Sequence, residues 1–131
     1  MSRTLEQKRA QHALNEVRRF KRELSPEERQ KFVSYVESLP ANILANGLGQ
    51  AMAMLLAQAK GVKDDPHYRL YGVLQEWLTR NEEQAPYRQE RDLMDAIVAR
   101  GRAEYLRAQT EALSYLEWLK KFAVAMMKEK T

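Results

Sequence analysis

The chain contains no cysteine in its 131 residues. That excludes disulfides, thiolate nucleophiles and cysteine-ligated zinc, and it agrees with a reducing compartment such as the cytoplasm. Glycine and proline are sparse, five and four residues, which suits long helices on short connections better than many strands and turns. Serine and threonine are few, none adjoins a histidine, and no Gly-x-Ser-x-Gly occurs. Gly47-Leu48-Gly49 lacks the Gly-Lys-Ser/Thr that a phosphate-binding loop needs. No Glu-x-x-His repeat of the di-iron kind is present. Charge is absent from Ser38 to Ala59, 22 residues, long enough to span a bilayer. Pro40, Asn42, Asn46, Gln50 and Gln58 interrupt that stretch, and amides are costly in hydrocarbon, so it reads as a buried helix of a bundle. Met1 to Lys8 is polar and charged, so no secretory signal is expected there.

What is present is helical periodicity and an uneven spread of positive charge. Net charge is +4. Residues 1–24 hold seven Lys/Arg against three Glu, residues 25–101 nine against eleven acids, and residues 102–131 six against four. The positive excess lies in the two ends of the chain, a bias towards polyanionic partners. Apolar spacing of three and four residues predicts a first helix from about Arg3 to Glu23. Ser25-Pro26-Glu27-Glu28 reads as a capping box with proline at the first helical position. The second helix is expected to stop near Pro40, and a third to run from Pro40 to Lys60 and end at Gly61. On that third helix Asn42, Asn46, Gly49, Ala53 and Ala57 share a face of small residues, with a kink or break predicted at Gly47 and Gly49. Asp65-Pro66 starts a fourth helix; residues 80–90 form a polar loop; a short fifth helix runs from about Glu90 to Ala99. A long last helix runs from Arg102 to Lys128. The expected fold is all-α, a compact single-domain bundle of about six helices over residues 1–131.

At 100° per residue the apolar residues of the last helix, from Tyr105 and Leu106 to Met126 and Met127, cover about 200°. This predicts a helix central to the bundle or buried on two sides. Lys120 falls inside the apolar arc, and Trp118 falls in the polar arc beside Arg107, Glu111 and Lys121. Trp118 is either a surface residue lying flat or an interface residue, since tryptophan is enriched at binding hot spots and an aromatic among cations can stack on a base.

Candidate chemistry is thin. His12 precedes Glu16 by four residues, so both could reach one ion, but no third ligand is evident and His12 reads as a solvated residue; no metal site and no cofactor are expected. Asp92 and Asp95 read as exposed acids. Catalysis by this chain is not expected. The basic residues remain: Arg18, Arg19, Lys21 and Arg22 crowd the end of the first helix, where the helix dipole alone favours them, and Lys120-Lys121 forms a second group. Cations of this kind can track phosphates without reading a base.

The run Leu39-Pro40-Ala41-Asn42-Ile43-Leu44-Ala45-Asn46-Gly47-Leu48-Gly49-Gln50-Ala51, the Tyr71-to-Leu78 helix, and the closing run Tyr105-Leu106-Arg107, Thr110 to Leu113 and Tyr115 to Ala123 resemble the Cmr small-subunit family of type III-B CRISPR RNA-guided effector complexes. The resemblance covers almost the whole chain and leaves residues 80–90 and the extreme termini unmatched. It implies a cytoplasmic helical bundle without catalytic residues, stacked in copies along larger backbone subunits and lining the channel that holds guide RNA and target RNA. It makes the uncharged 38–59 segment the packing centre. On this reading Arg18, Arg19, Arg22, Lys120 and Lys121 contact RNA phosphates, and Trp118, Asn42 and Asn46 meet other proteins. The competing readings are a pure protein scaffold, and a helical adaptor without RNA contact.

Overall fold

The computed structural model describes residues 3–130, so Met1 and Ser2 of the polar N-terminus, and Thr131, lie outside it. Six helices follow in order: α1 Leu5–Glu23, α2 Pro26–Asn46, α3 Leu48–Ala59, α4 Pro66–Leu78, α5 Leu93–Ala99 and α6 Arg102–Met127. No strand occurs among the described residues.

The helix starts are set by short polar side chains. Thr4 caps α1 in a capping box with Gln7, and Ser25 caps α2 in another with Glu28. Each box satisfies two of the otherwise orphaned groups at a helix N-terminus. Asp65 accepts from the His67 amide at the start of α4, and Asp92 from the Asp95 amide at the start of α5. The Asp92/Asp95 pair is therefore a helix cap.

Pro40 does not end the second helix. It lies inside α2, which continues to Asn46 and breaks at Gly47. Loss of one backbone hydrogen bond at an internal proline costs about 3 kcal/mol; here Val36, Leu39 and Ile43 are all buried on the same face and hold the helix on both sides of the ring. Gly47 has φ 86° and ψ 159°, a region that only glycine enters readily. It can offer α3 no side-chain cap, and α6 supplies one instead. The Leu48 amide donates to Gln109 Oε1 and the Gly49 amide to Tyr105 Oη, both at 2.9 Å. At the other end of α3 the left-handed position falls on Lys60, φ 53°, with Gly61 following at φ 79°.

The break divides the uncharged segment between two helices, so Asn42 and Asn46 belong to α2 whereas Gly49, Ala53 and Ala57 belong to α3. That segment is buried on one side only: Ile43, Leu48, Met52 and Leu55 are in the core, and Leu44, Ala45, Asn46, Ala53 and Ala57 are exposed. The packing centre is α6, which packs against α1, α2, α3 and α4. Its buried arc carries Ala108, Glu111, Ala112, Tyr115, Leu116, Leu119, Ala123 and Met127. The apolar arc read from the sequence is thus rotated: Glu111 belongs inside it, and Leu106 and Lys120 are exposed. The 80–90 loop is polar only in part, because Ala85, Pro86 and Tyr87 are buried and the Tyr87 amide donates to the Leu78 carbonyl at 3.0 Å. Among the described residues no helix is long and apolar enough to cross a membrane.

A Cβ placed on Gly47 would lie 2.9 Å from Tyr105 Oη, whereas one on Gly72, inside α4, would meet nothing within 4 Å. G47A is expected to destabilise the chain by about 1–3 kcal/mol through its backbone conformation. G72A is expected to stabilise it by about 0.5–1 kcal/mol through helix propensity. Urea unfolding of the two variants checks the opposite signs.

Candidate nucleic-acid interface

The two basic ends of the chain are brought side by side. Arg9 on α1 meets Glu111 on α6, and one turn later His12 meets Tyr115, pairs 102 and 103 residues apart in the same sense. Helices that keep a constant offset in this way run parallel. Carried along the seam, the offset brings Arg18 level with Lys120 and Lys121, and Arg22 about one turn beyond them.

A chain of buried polar contacts fixes that register. Arg9 grips Glu111 with two hydrogen bonds, Nε to Oε2 at 2.7 Å and Nη2 to Oε1 at 2.8 Å. Trp77 of α4 donates from Nε1 to the same Oε2 at 2.9 Å. Burial pushes the Glu111 carboxyl up, but hydrogen bonds from Arg9 and Trp77 outweigh it and leave the group below its ordinary range. The Trp77 ring stacks on Tyr115 at 5.2 Å, and the Arg80 guanidinium lies 3.6 Å from its centroid. The Tyr115 hydroxyl lies 2.6 Å from His12 Nδ1, and His12 Nε2 lies 3.1 Å from Glu76 Oε1. Burial drives the Tyr115 hydroxyl well above its ordinary range, so it stays protonated. His12 is therefore not the solvated residue that its charged helix suggests; it is half-buried against Trp77 and Tyr115.

The proposed RNA-contacting residues separate into two groups. Arg18, Arg22, Lys120 and Lys121 are exposed, and none forms an ion pair among the described residues. Arg19 is committed: its Nε donates to Glu16 Oε2 at 2.9 Å, its Nη1 lies 3.5 Å from Glu23, and its guanidinium sits 4.4 Å from the Phe20 ring centroid. Lys120 leaves the apolar arc because its side of α6 is uncovered at that level.

Trp118, seven residues on from Glu111, lies on the same side of α6. It is half-buried, packed against the core and 5.9 Å from the Phe122 ring. Asn42 is half-buried in a cleft with Tyr35, Met54, Gln58 and His67, and Asn46 is exposed at the end of α2. The structure therefore does not bring Trp118 and the two asparagines together. Sequence reasoning missed Glu111, Arg9 and Trp77. The signal was present in the 3–4 spacing of Arg9, His12 and Glu16 along α1, which places polar groups beside the apolar face.

Among the described residues the chain is an all-α bundle that turns buried polar groups inward to lock its helices and keeps unpaired cations outside. Residues 5–126 match the family described as CRISPR-associated protein (Cas_Cmr5). The chain belongs to this family, the small subunits of the Cmr complexes of type III-B CRISPR systems.

Removing one partner of a buried ion pair leaves the other uncompensated, at a cost of about 3–5 kcal/mol, while replacing both by apolar groups costs far less. E111Q is expected to lose about 3 kcal/mol at pH 7, and R9M/E111L substantially less. Because the folded-state pKa of Glu111 is depressed, its contribution is complete above the unfolded carboxyl value, about 4.3, and is lost as pH falls through the lower folded value. The stability gap between E111Q and the unmutated chain should therefore close in acid, as denaturant titrations at pH 7 and below pH 4 would show.

Proposed function

We propose that this chain is a non-catalytic structural subunit of a type III-B RNA-guided complex, one domain in extent, which stacks in copies along the backbone subunits and lines the guide and target RNA channel with basic side chains. The observation that supports this reading is the parallel α1·α6 layer. It brings the two positive ends of the sequence to a common level, where Arg18, Arg22, Lys120 and Lys121 are exposed and unpaired among the described residues. These side chains are free to replace the counterions of a phosphate backbone. Arg19, tied to Glu16 and Glu23, contributes positive potential rather than a direct contact. The exposed uncharged run on α2 and α3, with Leu44 72% exposed, suits contact with a neighbouring copy or backbone subunit; there Asn46 is positioned to take part, and Asn42 lies deeper in its cleft. Trp118 acts in this reading from the edge of the seam. The other Cmr subunits, further copies of the chain, guide RNA and target RNA are the partners, and the cytoplasm is the compartment.

The pure-scaffold reading makes a different prediction for the same residues. In a reconstituted complex, R18E/R22E/K121E is expected to weaken target-RNA binding. It should also flatten the log–log salt dependence by about 2, given roughly 0.7 per lost phosphate contact on a single strand. Unchanged RNA affinity together with failed assembly would establish the scaffold instead. Filter binding between 50 and 300 mM salt, with assembly followed by size exclusion, separates the two.

A further inference from the structure

Two buried polar atoms of the α1–α4–α6 network, Glu16 Oε1 and Arg80 Nη2, are left without a partner among the described residues. Glu16 is only 6% exposed. Its Oε2 accepts from Arg19, while its Oε1 finds no hydrogen-bond partner among the described residues. A buried carboxylate oxygen with nothing to accept from is costly, and such a group calls for an occupant. Beside it is His12, on the preceding turn of α1, and across from α1 is Glu76 of α4. One ligand atom from each of the three residues lies within 4.8 Å of the others.

We propose that His12, Glu16 and Glu76 form a binding site for a divalent transition-metal cation of the zinc class. The donor set is one imidazole nitrogen and two carboxylate oxygens, a combination that suits borderline cations rather than magnesium or calcium, which take oxygen ligands alone. The supports expected around such a set are present. His12 is held at Nδ1 by the buried Tyr115 hydroxyl and along its face by Trp77, which aims Nε2 at Glu76, 3.1 Å away. Orientation of a metal-binding imidazole through its other nitrogen is a regular feature of protein sites. Arg19 orients the Glu16 carboxylate through its far oxygen and leaves Oε1 for the ion. Access exists as well, because Glu76 is exposed.

In the metal-free chain His12 Nδ1 shares a hydrogen bond with the Tyr115 hydroxyl, and Nε2 shares one with Glu76. The bound form needs the Nε2 lone pair, so the imidazole then carries its proton on Nδ1, which donates to the Tyr115 oxygen. The Nε2 lone pair then meets the cation. The charge of the ion offsets the carboxylates around it. The ion ties α1 to α4 beside the basic layer, a brace rather than a reaction centre.

The test uses the untagged full-length chain, stripped with chelator and titrated with Zn²⁺ by calorimetry, with the two histidine rings followed by nitrogen-edited NMR. The expected result is one Zn²⁺ per chain, movement of the His12 ring signals but not those of His67, and at least tenfold weaker binding by E76Q. Because Glu76 is exposed, E76Q keeps its fold, as circular dichroism would verify. His12 signals that ignore one equivalent of Zn²⁺, or an affinity that E76Q leaves unchanged, would overturn the site. So would a His12 that responds to acid alone, which would make a proton or a water the occupant of the Glu16 pocket.

Discussion

A carboxylate withdrawn from water has to be paired, and Glu111 is paired from two helices at once. Arg9 reaches it from α1 with a two-pronged grip, and Trp77 reaches it from α4 with its indole N–H. Neither contact tolerates a slip of one helical turn, because the next residues along each helix present apolar side chains or a different polarity. The demand of one buried charge therefore fixes where the first helix, the fourth and the last sit along one another. The remaining apolar core, from Phe20 and Phe32 to Leu119 and Ala123, packs within the register so defined.

The same register governs the outside of the molecule. Packing α1 parallel to α6 makes a single two-helix layer from the most basic segments of the chain, although about a hundred residues separate them in sequence. Neutralisation then sorts the cations. Lys8, Arg9, Arg19, Arg69 and Arg80 are held by Glu82, Glu111, Glu16, Glu23 and Glu82 respectively, whereas Arg18, Arg22, Lys120 and Lys121 remain exposed. Their energetic cost to the isolated chain is small, since exposed like charges are screened by salt. A polyanion laid along the layer would gain from them collectively.

Local signals in the sequence gave the helices faithfully. Ser25-Pro26-x-Glu28 and Asp65-Pro66 mark starts because capping and the geometry of proline act within a few residues. Gly47 marked a break for the same reason. Pro40 misled, because the rule that a residue before proline avoids helix is a bias that buried neighbours override. A 100° wheel placed Trp118 and Glu111 on a polar face and Lys120 on an apolar one. A wheel knows the composition of a helix but not where its neighbours lie, and α1 covers the side that looked polar. His12 looked solvated for a similar reason: its partners, Tyr115 and Glu76, stand 103 and 64 residues away. The cations at positions 18, 22, 120 and 121 were legible as residues. Their common level was not, because it depends on the parallel pairing of the two end helices.

That pairing also orders events during synthesis. The partner of α1 lies about a hundred residues further along the chain, so α1, nineteen residues long, leaves the ribosome well before Glu111 and Tyr115 are there to meet Arg9 and His12. Most helical bundles complete themselves through neighbours in sequence and fold fast. Here the contact joins the first and the sixth helix, and until α6 emerges the nascent chain carries an incompletely covered apolar stripe on α1, a natural hold for a chaperone.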